Sequence, residues 1–105
     1  MTALAPVYAA LGDPVRLELV NRLSGQVAIP LHRLAEGLPM SRQAVTKHLR
    51  QIEAAGLATS VRRGRESLWR ASPAALDEAR QGLDRIARGW DDALARLAAH
   101  VEHEP

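Results

Sequence analysis

The sequence predicts a mainly α-helical fold with one small β-hairpin, in the order α-α-α-α-β-β-α, and three observations carry that expectation. Val45, Leu49 and Ile52 recur at spacings of four and three, the period of one helix face. Leu57 to Ala71 changes to an alternation of two, broken at Arg63-Gly64, which is the pattern of a hairpin. Ser72-Pro73 then opens a long segment with apolar residues in seven-residue rows. The 105 residues suffice for one domain, 1–105, with one core. Only Tyr8, Trp69 and Trp90 are aromatic, so the core must be built from Leu, Val, Ile and Ala, which suits helices.

The first helix is expected over 4–11, with Leu4, Val7, Tyr8 and Leu11 on one side. Gly12-Asp13-Pro14 interrupts it. Asp13 fits an N-cap and Pro14 the first helical position, so a second helix starts there. It would carry Leu17, Val20 and Leu23 inward and stop at Ser24-Gly25. A short extended stretch, Val27-Ala28-Ile29, leads to Pro30. The third helix is expected from Leu31 to Leu38, with Leu31, Leu34, Ala35 and Leu38 inward. Pro39 cannot continue it, so 37–40 is a tight turn. The fourth helix begins after Ser41, whose hydroxyl can accept from first-turn N–H groups. Gly56 suits the left-handed position that ends it.

A short helix, a tight turn and a second helix with a polar face make a helix-turn-helix over 31–56. Arg42, Gln43, Thr46, Lys47 and Arg50 lie away from the Val45/Leu49/Ile52 stripe. Such side chains hydrogen-bond bases and phosphates, and a recognition helix reads bases with its N-terminal residues. Arg42 and Gln43 are the first choices for base contacts, since Arg suits guanine and Gln adenine. Thr46 follows, with Lys47 a phosphate contact, and Ser41 stands at the start of the same surface. The hairpin over 57–71 carries Arg62, Arg63 and Arg65 at its tip, which makes it a wing. With Arg50, these are assigned to backbone phosphates or an adjacent minor groove. Trp69, following a core strand, reads as a packing residue. His48 falls on the Val45/Leu49 side and reads as structural or backbone-orienting. For Arg16, an ion pair and a phosphate contact both stay open.

The charge distribution supports this surface. Net charge is only +2, but residues 42–70 hold seven of the basic side chains against Glu53 and Glu66. Residues 1–41 balance, and residues 71–105 are net acidic. A basic middle in a nearly neutral chain marks a surface that faces a polyanion better than the overall charge does. The absence of cysteine excludes disulfides and thiolate metal sites. No apolar run approaches the ~20 residues that span a bilayer, and Met1-Thr2-Ala3-Leu4 lacks the features of a signal peptide. A cytoplasmic protein is expected. No phosphate-cradling Gly-rich loop, G-x-S-x-G elbow or HExxH is present, so no enzyme is expected.

The last helix is expected over 72–103. Leu76, Leu83, Trp90 and Leu97 lie seven apart; Ala79, Ile86 and Ala93 form a second row, flanked by Leu94 and Val101. Such rows pack along another long helix, and a domain of this size has no second one. A second copy of the chain is the economical partner, with the 1–12 segment adding to the interface. Gly82 and Gly89 weaken the helix.

In order along the chain, these motifs resemble the ArsR/SmtB family of winged helix-turn-helix repressors. Ala10-Leu11-Gly12-Asp13-Pro14-Val15-Arg16 is similar to the family's ALxDPxR opening. Leu34-Ala35 with Pro39-Met40-Ser41-Arg42-Gln43-Ala44-Val45-Thr46-Lys47-His48-Leu49 is similar to its LA…MSxxAVSKHL core. Glu53-Ala54-Ala55-Gly56-Leu57, the arginines around Gly64, Trp69-Arg70 and Ser72-Pro73 follow in the family's order. The likeness covers roughly residues 5 to 101 and is greatest to cysteine-free, metal-independent members. It implies a homodimer built on the first and last helices, through Leu4, Val7, Tyr8 and Leu11 and through Leu83, Ile86, Trp90, Leu94, Leu97 and Val101. It further implies double-stranded DNA as the partner, a palindromic inverted-repeat operator about one helical turn between half-site centres, and repression.

The family's thiol site near the third helix is absent here, because residues 31–36 contain no cysteine. Its other site uses D-x-H, ten residues, then H-x-x-H or H-x-x-E in the last helix. His100 and His103 fit the second half, but Ala87 and Gly89 stand where the first half would fall and cannot ligate. No metal and no cofactor are therefore expected. The alternatives are a metal-responsive repressor using His100 and His103, and a dimeric module that binds a protein through its long helix.

Overall fold

A computed structural model describes residues 3–25 and 27–102. Along them run α1 (Leu4–Leu11), α2 (Pro14–Arg22), β1 (Ile29–Pro30), α3 (Leu31–Leu34), α4 (Arg42–Ala54), β2 (Ala58–Arg63), β3 (Glu66–Ala71) and α5 (Pro73–Glu102). The helix starts follow their caps. Asp13 Oδ1 accepts from the N–H groups of Val15 at 2.8 Å and Arg16 at 3.0 Å, with Pro14 in the first turn. The Arg16 N–H is the main reason the Asp13 carboxyl sits below its usual range. Ser41 Oγ accepts from Ala44 N–H at 3.1 Å. At the far end of α4, Gly56 takes φ 86°. That lets Gly56 N–H reach Glu53 O and Leu57 N–H reach Ile52 O, at 2.9 and 3.1 Å, the paired bonds that close a helix C-terminus.

The core lies where α1, α2, α4 and the sheet meet. Val7, Leu19, Leu23, Leu34, Val45, Leu49, Ile52, Leu57 and Trp69 are its largest fully buried side chains. The stripe Val45, Leu49, Ile52 is therefore buried as its spacing predicts. Arg16 binds three segments together: Nε donates to Ala10 O at 2.9 Å and Nη1 to Gln51 Oε1 at 2.9 Å. It thus satisfies a carbonyl at the end of α1 and ties that end to α4.

Several local expectations need correction. In α2 it is Leu19, not Leu17, that enters the core: Leu17 is 54% exposed and Leu19 fully buried. α2 is covered by α1 and α4 along the Leu19–Leu23 side, and Leu17 is left lining an open groove with Leu11, Pro14 and Leu76. The third helix ends at Leu34 rather than Leu38. Leu38 N–H turns back to Ala35 O at 3.1 Å, and Gly37 adopts φ 76°. The guanidinium of Arg22 takes up the carbonyls of Leu34 and Glu36 instead, at 2.9 and 2.6 Å. β1 is an addition to the expected hairpin. It pairs antiparallel with β3, Ile29 opposite Trp69, giving the order β1-β3-β2. Two residues carry no readable period, and Pro30 is tolerated because β1 is an edge strand.

In the hairpin, Arg63 pairs with Glu66, so the turn residues are Gly64-Arg65, one position later than expected. Only Gly64 takes positive φ (63°), the pattern of a II′ turn. Leu57 and Ala58 are both buried, whereas Val61 is 60% exposed. The alternation fails there because nothing packs over Val61 near the tip of the wing.

α5 has two parts. Its first third is seated by Ala75, Ala79 and Gly82, which are buried. Tyr8 Oη donates to Ala79 O at 2.8 Å. A Cβ on Gly82 would collide with the Tyr8 hydroxyl, and would lie 2.7 Å from Leu4 Cδ1. Gly82, expected only to weaken the helix, is where α1 crosses it. Beyond it the helix leaves the body and runs free to Glu102. The molecule is accordingly elongated, 73 × 30 × 20 Å.

Candidate nucleic-acid interface

α4 presents two polar rows beside its buried stripe. Arg42, Thr46 and Arg50, four residues apart, form the row nearest the wing. They line a cleft of about 360 Å3 with Leu31 and His32 of α3, Arg62 of β2, Arg65 of the turn, and Glu66 and Ser67 of β3. Gln43 and Lys47 form the second row. Both are exposed, on the face of α4 opposite its buried stripe, and neither lines the cleft. Arg63 is exposed on the hairpin. Ser41 is exposed, with its oxygen occupied by the cap to Ala44 N–H. The structure thus brings Arg42, Thr46, Arg50, Arg62 and Arg65 into one concave surface and leaves Gln43, Lys47 and Arg63 outside it.

The base of the wing is fastened to α4 by a cluster that sequence reasoning missed. Arg50 Nη1 donates to Glu53 Oε1 at 3.0 Å and to Ser60 Oγ at 3.2 Å. Ser60 Oγ in turn donates to Glu53 Oε2 at 2.8 Å. The Arg50 guanidinium lies 4.9 Å from the Trp69 ring centroid, within cation–π range. The Ser60 hydroxyl is the main reason the Glu53 carboxyl sits below its usual range; burial opposes it, and Arg50 adds to the lowering. Glu53 and Arg50 stand i, i+3 on a helix, a pairing visible in sequence; their meeting with Ser60 and Trp69 depends on strand register, with Ser60 opposite Trp69. Trp69 is 1% exposed and serves packing, as expected, not base stacking.

The dimer residues expected from the sequence divide in the same way. Val7 is fully buried in the chain's own core, and Tyr8 is bonded to Ala79 of its own α5. α1 therefore fastens α5 to the body. Leu83, Ile86, Trp90, Leu94, Leu97 and Val101 are all 54–67% exposed along one face of the free half of α5. A contiguous apolar stripe of that length marks an interaction surface. His48, on the core side of α4, has a buried Nδ1 without a hydrogen-bond partner. Among the described residues no group of three possible metal ligands lies together; His103 is outside those residues.

Residues 11–61 match a helix-turn-helix domain family. The chain is 34% identical over 98 residues to the HTH-type transcriptional regulator Rv2034 of Mycobacterium tuberculosis, covering 92% of this chain and 87% of that protein. It is 33% identical over 94 residues to the HTH-type transcriptional repressor SmtB of the same organism, covering 90% and 67%. Among solved structures it is similar to an ArsR-like transcriptional regulator from Rhodococcus sp. RHA1. That match has a TM-score of 0.78 and 42% identity, over 96% of this chain and 94% of the other. With α3, α4 and the Arg-tipped wing in the arrangement described, the chain belongs to the ArsR/SmtB family of winged helix-turn-helix transcriptional regulators.

Proposed function

We propose that the protein is a repressor that binds an inverted-repeat operator in double-stranded DNA as a homodimer. The observation that carries this reading is the placement of α4: its polar rows face outward beside the arginines of the wing, while its apolar stripe is wholly buried. α4 enters the major groove, where Gln43 reads a base edge, adenine being its best bidentate partner. Lys47 and Arg63 contact phosphates. Arg42, first expected to read guanine, stands in the wing-side row and takes a phosphate there, together with Arg50, Arg62 and Arg65. Ser41 and Thr46 border the same surface.

The dimer rests on the free half of α5. Its stripe is nearly symmetric about Asp92: Leu83 and Val101 lie nine residues to either side, Trp90 and Leu94 two, and Ile86 and Leu97 six and five. A two-fold axis near Asp92 would set each apolar residue of one helix against an apolar residue of an antiparallel second copy, the self-complementarity that a closed dimer requires. One structural relative, a possible ArsR-family regulator from Mycobacterium bovis, is described as homodimeric.

Selection of bound duplexes from random DNA at physiological salt tests the reading. Enrichment of an inverted repeat with half-site centres about one helical turn (~10 base pairs) apart is expected. A folded protein that enriches nothing, and whose weak DNA binding does not fall with salt, would instead be a protein-binding module.

A further inference from the structure

Glu66 puts a carboxylate on the surface that would face DNA. It lines the cleft between α4 and the wing, among Arg42, Arg50, Arg62 and Arg65, and its side chain is 56% exposed. The register of the hairpin fixes its place beside the turn, opposite Arg63. A carboxylate there repels the phosphates of a duplex whatever the base sequence. Among the described residues, the basic side chain within ion-pair distance of Glu66 is His32 of α3, whose Nδ1 lies 3.6 Å away. Imidazole is the side chain that ordinarily changes charge between about pH 5 and 8, whereas arginines stay charged throughout. α3 packs against α4, β1 and β3. The charged groups that share the cleft with His32 are Glu66 on β3, Arg42 and Arg50 on α4, and Arg62 and Arg65 of the wing; β1, Ile29–Pro30, has none. Arg33, the neighbour of His32 on α3, lines a separate hollow with Arg22 and Glu36.

We propose that His32 and Glu66 are a proton-operated control on DNA affinity. The inference rests on the reading that α4 and the wing face DNA, and it adds regulation by pH to that surface. With His32 protonated, the pair is neutral overall and the arginines act on the duplex undiminished. With His32 neutral, Glu66 subtracts one charge from the same surface. The sign follows: affinity rises as pH falls from 8 to 6. A phosphate backbone laid nearby favours the imidazolium form in turn, so binding of duplex takes up protons. An exposed pair shifts an equilibrium by only about threefold. Two such pairs in the proposed dimer give about tenfold.

Affinity for one fixed mixed-sequence duplex, measured between pH 8 and pH 6 at constant ionic strength, tests this with the full chain. The native protein should gain about tenfold as pH falls, and His32→Gln less than about twofold. His48, His100 and His103 remain in that variant, so its residual slope measures every other titrating group. Glu66→Gln should bind about tenfold more tightly than the native protein at pH 8, and its further gain should begin at lower pH, because the carboxylate that favours the imidazolium is gone. Calorimetry in two buffers of different ionisation heat should show proton uptake by the native protein and little by His32→Gln. Both side chains are half exposed, and melts at both pH values check that each variant is folded. If His32→Gln keeps the native pH profile, the proposal is wrong even though duplex is bound. If Glu66→Gln changes neither the affinity at pH 8 nor the position of the rise, His32 acts alone and the pair is not the control. A companion measurement without DNA follows the His32 ring C–H shifts against pH in the native chain and in Glu66→Gln. If these curves differ but no duplex is bound at any pH, the operator reading falls and takes this control with it.

Discussion

Gln43 and Arg42 are neighbours in sequence with different surroundings, and that difference makes a pair of opposed expectations. Gln43→Ala should relax preference at one base position, at a cost of about 1–3 kcal/mol for the preferred base. Arg42→Ala and Arg63→Ala should weaken all sequences alike, each lowering the slope of log affinity against log salt by about one. Binding to an operator and its single-base variants over a salt series checks both; a base-specific loss in Arg42→Ala would return Arg42 to base reading. Ser41→Ala should cost about 1 kcal/mol of stability through the lost cap, measured by denaturant melts. Glu53 gives a pH signature. Its carboxyl is lowered in the folded state, so its contribution is fully present above the ordinary value of 4.5 and disappears as pH falls through the lower folded value. Melts of the native chain and Glu53→Gln should differ most at neutral pH and converge below pH 4.5. A gap unchanged down to pH 3 would mean that the charge contributes nothing to the Arg50–Ser60–Trp69 cluster.

Elements with their own local signals are legible in the sequence. α4 is one, since Ser41, the Val45/Leu49/Ile52 stripe and Gly56 each mark a different part of it. α2 is another at its start, through Asp13-Pro14. What is not legible depends on contacts distant in sequence. The third helix stops early at a turn with Gly37 at positive φ, and Arg22, twelve residues before Leu34, takes up the carbonyl it leaves free. β1 exists only because β3 lies beside it. The site was legible as a set of residues but not in its division: a helical wheel shows that Arg42 and Gln43 are exposed, not which of them the wing faces. Gly82 is a further case, because its meaning comes from Tyr8 and Leu4 of α1. Gly82→Val should cost about 1–3 kcal/mol by overpacking and should loosen α1 from α5. Tyr8→Phe should recover part of that loss, since it removes the hydroxyl that a new Cβ would meet. Denaturant melts of both single variants and the double variant read the coupling. Strict additivity would mean that the crossing accommodates a Cβ elsewhere.

At the scale of the whole molecule, the symmetric stripe on α5 makes a register testable. Because the chain has no cysteine, Leu83→Cys with Val101→Cys introduces thiols without background. Oxidation of the double variant should give a covalent dimer in high yield, and either single variant little. Equal crosslinking by Leu83→Cys alone would indicate a parallel pair. Trp90→Glu should yield a monomer by sedimentation. No helix among the described residues is long and apolar enough to cross a membrane, so a bilayer-spanning role for the stripe finds no support. The free half of α5 has a wider consequence. The first third is held by contacts within the chain, while in the proposed dimer the outer part would gain its apolar neighbours from the second copy. On the proposed reading, a lone protomer would hold only one half-site. If the proposed dimer and two-site operator hold, occupancy below the dimer dissociation constant would rise with the square of protomer concentration, so the molecule would act as a counter of its own copies, silent when few are present and abruptly engaged when they accumulate.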